Sequence, residues 1–212
     1  MSRKTAFLSP GKTVLIVCED SKSSPDYFAK LRMFLRLQPV RVEVCGKQCG
    51  SDPKSVVDYA VERKKKAIES PVEDGFDEVF CVIDIDIHPK KRLCDAIQMA
   101  RDNQINLIIS NPCFEYWYIL HFEKTGKTYT NHHEPQKDFQ EILRGIYKNK
   151  RYKYDKSGCV FFELLYPNTD IAIKNSKEIL RSQHNGETDL SKCNPSTDVH
   201  QVVKRMQEMS NN

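Results

Sequence analysis

Nowhere in these 212 residues does an apolar run approach the roughly 18 residues that a membrane-crossing helix needs, so no transmembrane helix and no membrane partner are expected. The opening MSRKTAFLSPGK has too few apolar residues for a secretion signal, and a cytoplasmic location follows as the expectation. Zinc-type cysteine spacing is also missing. Cys45 and Cys49 lie close together, but no second pair completes a structural site. Of the eight cysteines, Cys18, Cys81 and Cys113 sit in or beside apolar runs, where thiols behave as small core residues, which argues against a disulfide framework. Internal repeats and long disordered tracts are absent as well. What is present is an ordinary globular composition with a net charge of +4 and a pI near 8.5. That balance permits contact with nucleic acid without requiring it, so the placement of charge matters more than its sum.

The stretch VFCVIDIDIH, residues 79–88, organises the rest. The apolar run Val79 to Ile83 predicts a strand buried on both faces, as in a parallel sheet flanked by helices. Charge then arrives abruptly. Side chains along a strand alternate, so Asp84 and Asp86 point to the same side where the buried run stops. Two carboxylates that close repel unless a cation or a donor network satisfies them. Mg²⁺ suits such a place, since it takes one or two protein carboxylates and keeps several waters. Alternatively, an aspartate at a strand end caps the next helix, and Pro89 with the basic run Lys90, Lys91 and Arg92 follows at once.

The first strand, Thr13 to Cys18, also ends in acid, Glu19 and Asp20. A serine-rich turn leads to a helix, with Ser24 as the expected cap and Pro25 as its first residue. Strand VRVEVC alternates and is expected at a sheet edge. Asp52 and Pro53 then open a helix that is expected to end in the solvated run RKKK. After the central strand come a helix striped by Leu93, Ala96, Ile97 and Ala100, and the strand Ile105 to Ser110. Four strands alternating with helices predict a Rossmann-like α/β domain ending near residue 124. In such sheets the site lies beyond the carboxyl ends of the strands, where Glu19, Asp84 and Asp86 all fall.

SNPCFEYWYILHF, residues 110–122, is expected to form a largely buried helix, with Ser110 or Asn111 as cap and Pro112 at its start. Glu115 and His121 interrupt its apolar surface about 120° apart. Glu115 is placed to meet the acidic rim, because a carboxylate in an apolar helix needs a partner. His121 reads equally as a satisfied core histidine and as a catalytic one. From Thr125 the pattern turns polar and then helical. The segment 147–156 sets Lys148, Lys150, Arg151, Lys153 and Lys156 among Tyr147, Tyr152 and Tyr154. Cations for phosphates beside rings for unpaired bases describe a nucleic-acid surface; a solvated linker has the same composition. The remainder reads as helices, the last near residues 199–209 with a cap at Ser196 or Thr197.

Together IVCEDSKSSPDYF, VFCVIDIDIH, SNPCFEYWYILHF and the late NPSTDVH are similar to the RloB-like family of bacterial defence proteins, over nearly the whole chain. Glu after the first strand with DxD after the third resembles a Toprim domain. The resemblance implies a Toprim-like fold over residues 1–124, a mostly helical region over 125–212, and a Mg²⁺-dependent nuclease, Mn²⁺ being an alternative ion. It also implies a role against phage beside restriction or CRISPR systems, with a defence protein as a possible partner. Carried over by position, Glu19, Asp84 and Asp86 are the metal carboxylates, and Glu115 and His121 match the family's motif. The chain departs from that pattern in having Asp20 where glycine is expected, Ser23 and Ser24 where Thr-Glu is expected, and Ile85 between the aspartates. Either one ion is held tightly, or Asp20 or Asp26 stands in for the absent acid.

On this reading metal-assisted phosphodiester cleavage is expected, Glu19 completing the metal shell or accepting a proton, and His121 or a lysine of the basic segment assisting the leaving oxygen. Lys148, Lys150, Arg151, Tyr152, Lys153 and Tyr154 would contact nucleic acid, RNA and even transfer RNA before duplex DNA. The rival is a non-catalytic module that holds a Mg-nucleotide, a nucleic acid or a partner protein on the same rim.

Overall fold

The computed structural model describes residues 12–38, 40–44, 52–72, 75–85, 90–184 and 192–211. Its sheet has the order β2-β1-β3-β4-β5, formed by β1 (Val14–Cys18), β2 (Val40–Val44), β3 (Glu78–Asp84), β4 (Asn106–Asn111) and β5 (Ser196–Thr197). The first four strands are parallel and β5 is antiparallel to β4. All five residues of β1 are buried, which explains their unbroken apolar run: both faces are covered. Val14, Ile16 and Cys18 face one core, while Leu15 and Val17 face the other. The second core is closed by α2 (Pro53–Glu69) and α3 (Lys90–Asp102), the first by α1 (Ser23–Phe34), α4 (Glu115–Ile119), α5 (His133–Ile146), α6 (Phe162–Leu165), α7 (Thr169–His184) and α8 (Val199–Ser210).

As expected, β2 is an edge strand, and Asp52 caps α2 by accepting from the Lys54 amide at 3.1 Å with Pro53 in the first turn. Other boundaries differ. Helix α1 begins at Ser23, not Pro25, and Ser24 is not its cap. Asp20 does that work instead, accepting from the Lys22 amide at 3.1 Å and from the Ser24 amide and hydroxyl. Helix α2 runs on through RKKK to Glu69, because Arg63 is tied to Glu43 at 3.0 Å and Lys64 donates to the Asn103 carbonyl at 3.0 Å. The expected helix from Pro112 starts at Glu115 and lasts five residues, with Ser110 and Asn111 still in β4. Ser196 and Thr197 form β5 rather than a cap, although Thr197 Oγ1 still accepts from the Val199 amide at 3.4 Å.

Packing crosses residue 124. The first core joins Phe114, Trp117 and Tyr118 to Phe139, Phe161, Val202 and Met206, and Arg205 of α8 forms a paired bond to Glu78 at the start of β3. No described helix is long and apolar enough to cross a membrane.

Candidate functional site

The chain leaves β1 outward to β2 and returns to place β3 on the other side of β1. In open α/β sheets ligands bind at such a reversal, beyond the carboxyl ends of the strands, which here are those of β1 and β3. Glu19 is the first residue after β1 and Asp84 the last of β3. Register brings them together: Cys18 lies opposite Val82, and the Glu19 amide donates to the Val82 carbonyl at 3.0 Å. Glu19 Oε2 in turn accepts from the Asp84 amide at 3.1 Å.

Glu115 comes from the first turn of α4 and is 1% exposed. Its Oε1 receives the Ser23 hydroxyl at 2.8 Å, the Tyr154 hydroxyl at 3.1 Å and the Lys156 ammonium at 3.3 Å. The partner that a buried carboxylate requires is therefore threefold, drawn from α1 and from the segment after α5. Burial pushes the Asp84 carboxyl well above the usual carboxylate range, and the charges of Asp20, Glu115 and Glu19 push it further, against the Phe114 amide that holds it down. Asp20 moves the same way, chiefly by burial and with Glu115 adding to it, although the Ser24 hydroxyl and the Lys22 amide oppose the rise. Burial raises the Cys113 thiol well up, with Glu115 and Asp84 next in effect. Four carboxylates thus act on one another at one strand-end rim. Lys156 answers them: burial would lower its pKa, but Glu115, Cys113 and Asp84 together raise it and the net shift is upward.

Of the residues singled out in the sequence, Glu19, Asp84 and Glu115 come together, and Asp20 and Lys156 join them. Asp86 lies outside the described residues. His121 is elsewhere, 1% exposed, edge-on to Trp117 and Tyr27, with Nδ1 2.9 Å from the Trp117 carbonyl. Burial lowers its pKa to about 4, so it sits there as a neutral core imidazole. Tyr154, expected to offer its ring to bases, packs it against Phe139 and Phe161 and spends its hydroxyl on Glu115. Tyr152 lies tilted against Tyr147 at 4.9 Å, and Lys148, Lys150, Arg151 and Lys153 are exposed. Asp26 is committed to the Gly158 amide. Two sequence signals pointed to the added members. Asp20 directly follows Glu19 where the first apolar run ends, and Glu115 in its apolar surroundings needs a partner, which a lysine of the basic segment can be.

Among the described residues no three His, Cys, Asp or Glu side chains form a ready-made metal shell. The donor chemistry nevertheless fits a hard divalent ion, which binds carboxylate oxygen, completes its shell with water and needs only one or two protein carboxylates. The model of the RloB-like protein family matches residues 14–206. The chain belongs to the RloB-like family. All the rim residues of this member fall inside the matched span. Searches of the curated proteins and of the solved structures gave no match.

Proposed function

We propose that this RloB-like protein is a Toprim-like, Mg²⁺-dependent nuclease that cleaves phosphodiesters, RNA in preference to DNA, in bacterial defence against phage. In this proposal residues 1–124 supply the carboxylates and 125–212 add cations and substrate contacts, with a protein of a restriction or CRISPR system as a partner. One observation carries the reading: Glu19, Asp20, Asp84 and Glu115 converge at the sheet's switch point, and mutual repulsion with burial raises Asp84 and Asp20. Carboxylates held against their own repulsion gain from a cation.

Mg²⁺ or Mn²⁺ would be held by Glu19 and Asp84, with Asp86 the next carboxylate along the chain. When bound, such an ion neutralises the scissile phosphate and makes bound water more acidic. The protein's own residues do the rest. The Asp84 amide orients Glu19, whose carboxylate either completes the metal shell or accepts the proton of the attacking water. Ser23 and Tyr154 fix Glu115, and through it the Lys156 ammonium, at the rim. Exposed Lys148, Lys150, Arg151 and Lys153 offer cations to the nucleic-acid backbone, and the half-exposed Tyr147 and Tyr152 pair offers a stacking face.

One observation favours the rival, a binding module without catalysis: Glu115 Oε1 already carries three donors, and Glu19 is engaged by the Asp84 amide. The test incubates the purified chain with transfer RNA, single-stranded DNA and plasmid, with Mg²⁺ or Mn²⁺, beside Asp84→Ala. Cleavage of RNA by the wild type, reduced about a hundredfold or more in the variant, is expected. Equal inertness of both proteins on all three substrates sinks the nuclease reading and leaves the binding module.

A further inference from the structure

The strap that follows α5 brings one residue of the C-terminal half to the rim, and its anchors leave little freedom. Arg144 Nε donates to the Tyr152 carbonyl at 2.9 Å, and the Tyr154 amide donates to Gln140 Oε1 at 3.0 Å. The Ser157 amide donates to Asp155 Oδ1 at 2.8 Å, and the Gly158 amide donates to Asp26 on α1. Cys159 is then fully buried. Between these ties stands Lys156, whose side chain is 41% exposed although its Glu115 partner is 1% exposed. The ammonium therefore has a buried carboxylate on one side and solvent on the other. It also feels the charge of Asp84, the carboxylate at the centre of the rim.

A phosphodiester is an anion approaching a rim of carboxylates, and a single bound divalent ion leaves that rim with negative charge to spare. Lys148, Lys150, Arg151 and Lys153 are exposed, but the lysine that touches the cluster among the described residues is Lys156. We infer that Lys156 is a catalytic residue: its ammonium, held on Glu115 and open to solvent, contacts the scissile phosphate and stabilises the negative charge that develops there. This rests on the nuclease reading. A fixed charge aimed at a developing one, in a site that is partly dry, is the arrangement that lowers a phosphoryl-transfer barrier. Lysine serves as a point charge here, and the Glu115 bond preorganises it without neutralising the face turned outward. No proton needs to leave it.

The experiment uses the full chain, a fluorescently labelled single-stranded RNA oligonucleotide, and the variants Lys156→Met, Lys156→Arg and Asp84→Ala. Three quantities are measured: kcat and KM with Mg²⁺, Mn²⁺ affinity by calorimetry, and the thermal melt. Lys156→Met is expected to lower kcat about a hundredfold while still melting cooperatively. It should bind Mn²⁺ as tightly as the wild type or tighter, because a cation has left the rim. Lys156→Arg should recover part of kcat. Loss of activity with undiminished Mn²⁺ binding is a signature that general unfolding cannot produce. Wild-type cleavage matched by Lys156→Met overturns the assignment alone, as does loss of Mn²⁺ binding together with the cooperative melt. A wild-type chain that cuts neither this oligonucleotide nor transfer RNA, single-stranded DNA and plasmid, run beside it, overturns the nuclease reading, and this assignment with it.

Discussion

Replacing Asp84 by asparagine should make the metal-free protein more stable, even though Asp84 sits at the centre of the proposed site. Asparagine keeps the shape and an oxygen to accept the Phe114 amide, but it removes a negative charge that burial, Asp20, Glu115 and Glu19 all disfavour. Relief of one such functional-site charge is worth about 1–2 kcal/mol. For a chain of this length that is about 2–8 °C in Tm. The sign with pH follows from linkage. Asp84's folded pKa lies above its unfolded value of 3.8, so the folded chain binds the proton more tightly. The wild type therefore loses this contribution as pH rises through the folded value. The Tm gap between Asp84→Asn and the wild type should be small near about pH 4 and widen toward about pH 8. Mg²⁺ at about a hundred times its Kd would add about 2.7 kcal/mol to the wild type and little to the variant. Melts followed by circular dichroism with a chelator, then with Mg²⁺, read both effects. An Asp84→Asn protein that melts at or below the wild type at about pH 8 without metal would refute the view of the rim as strained by its own charge.

His121 has the opposite pH sign. Its folded pKa of about 4 lies below the ordinary 6.5, so its contribution is complete above about 6.5 and is lost as pH falls toward 4. The loss amounts to about 3 kcal/mol at most, and His121→Leu should flatten that limb in urea titrations, whereas an unchanged slope would contradict the core placement. Tyr154→Phe keeps the ring on Phe139 and Phe161 but removes a donor from Glu115. It should cost about 1–2 kcal/mol by urea denaturation; no measurable loss would mean the strap is not held there. Arg205 grips both carboxylate oxygens of Glu78 at 2.6–2.9 Å from half-buried positions. Arg205→Ala should cost about 1 kcal/mol, less at high salt, and a salt-independent loss would point to packing instead of charge.

Much of the fold could be read from the residues because its strands are long apolar runs buried on two faces. Val14 to Cys18 and Val79 to Ile83 admit few other readings, and the alternation of Val40, Val42 and Val44 marked an edge. β5 could not be seen, since two residues carry no periodicity and pair with β4 only because α7 and α8 deliver them there. Cap positions slipped for a related reason. Ser24 has the right chemistry for a cap, but Asp20 is a stronger acceptor and takes the Lys22 and Ser24 amides and the Ser24 hydroxyl itself, so the helix starts at Ser23.

By itself the sequence determined which acids stand at strand ends, because that follows from where an apolar run stops and from the two-residue alternation of a strand. It also determined that Glu115, set in apolar surroundings, had to be answered by a donor. Only the tertiary structure decided which donor. Lysines 148, 150, 153 and 156 look alike in a basic segment, and the Gln140, Arg144 and Asp26 anchors select Lys156. The tertiary structure likewise turned Tyr154 inward and placed His121 in an aromatic core, since burial depends on what the rest of the chain packs against a residue and leaves no local mark on its neighbours.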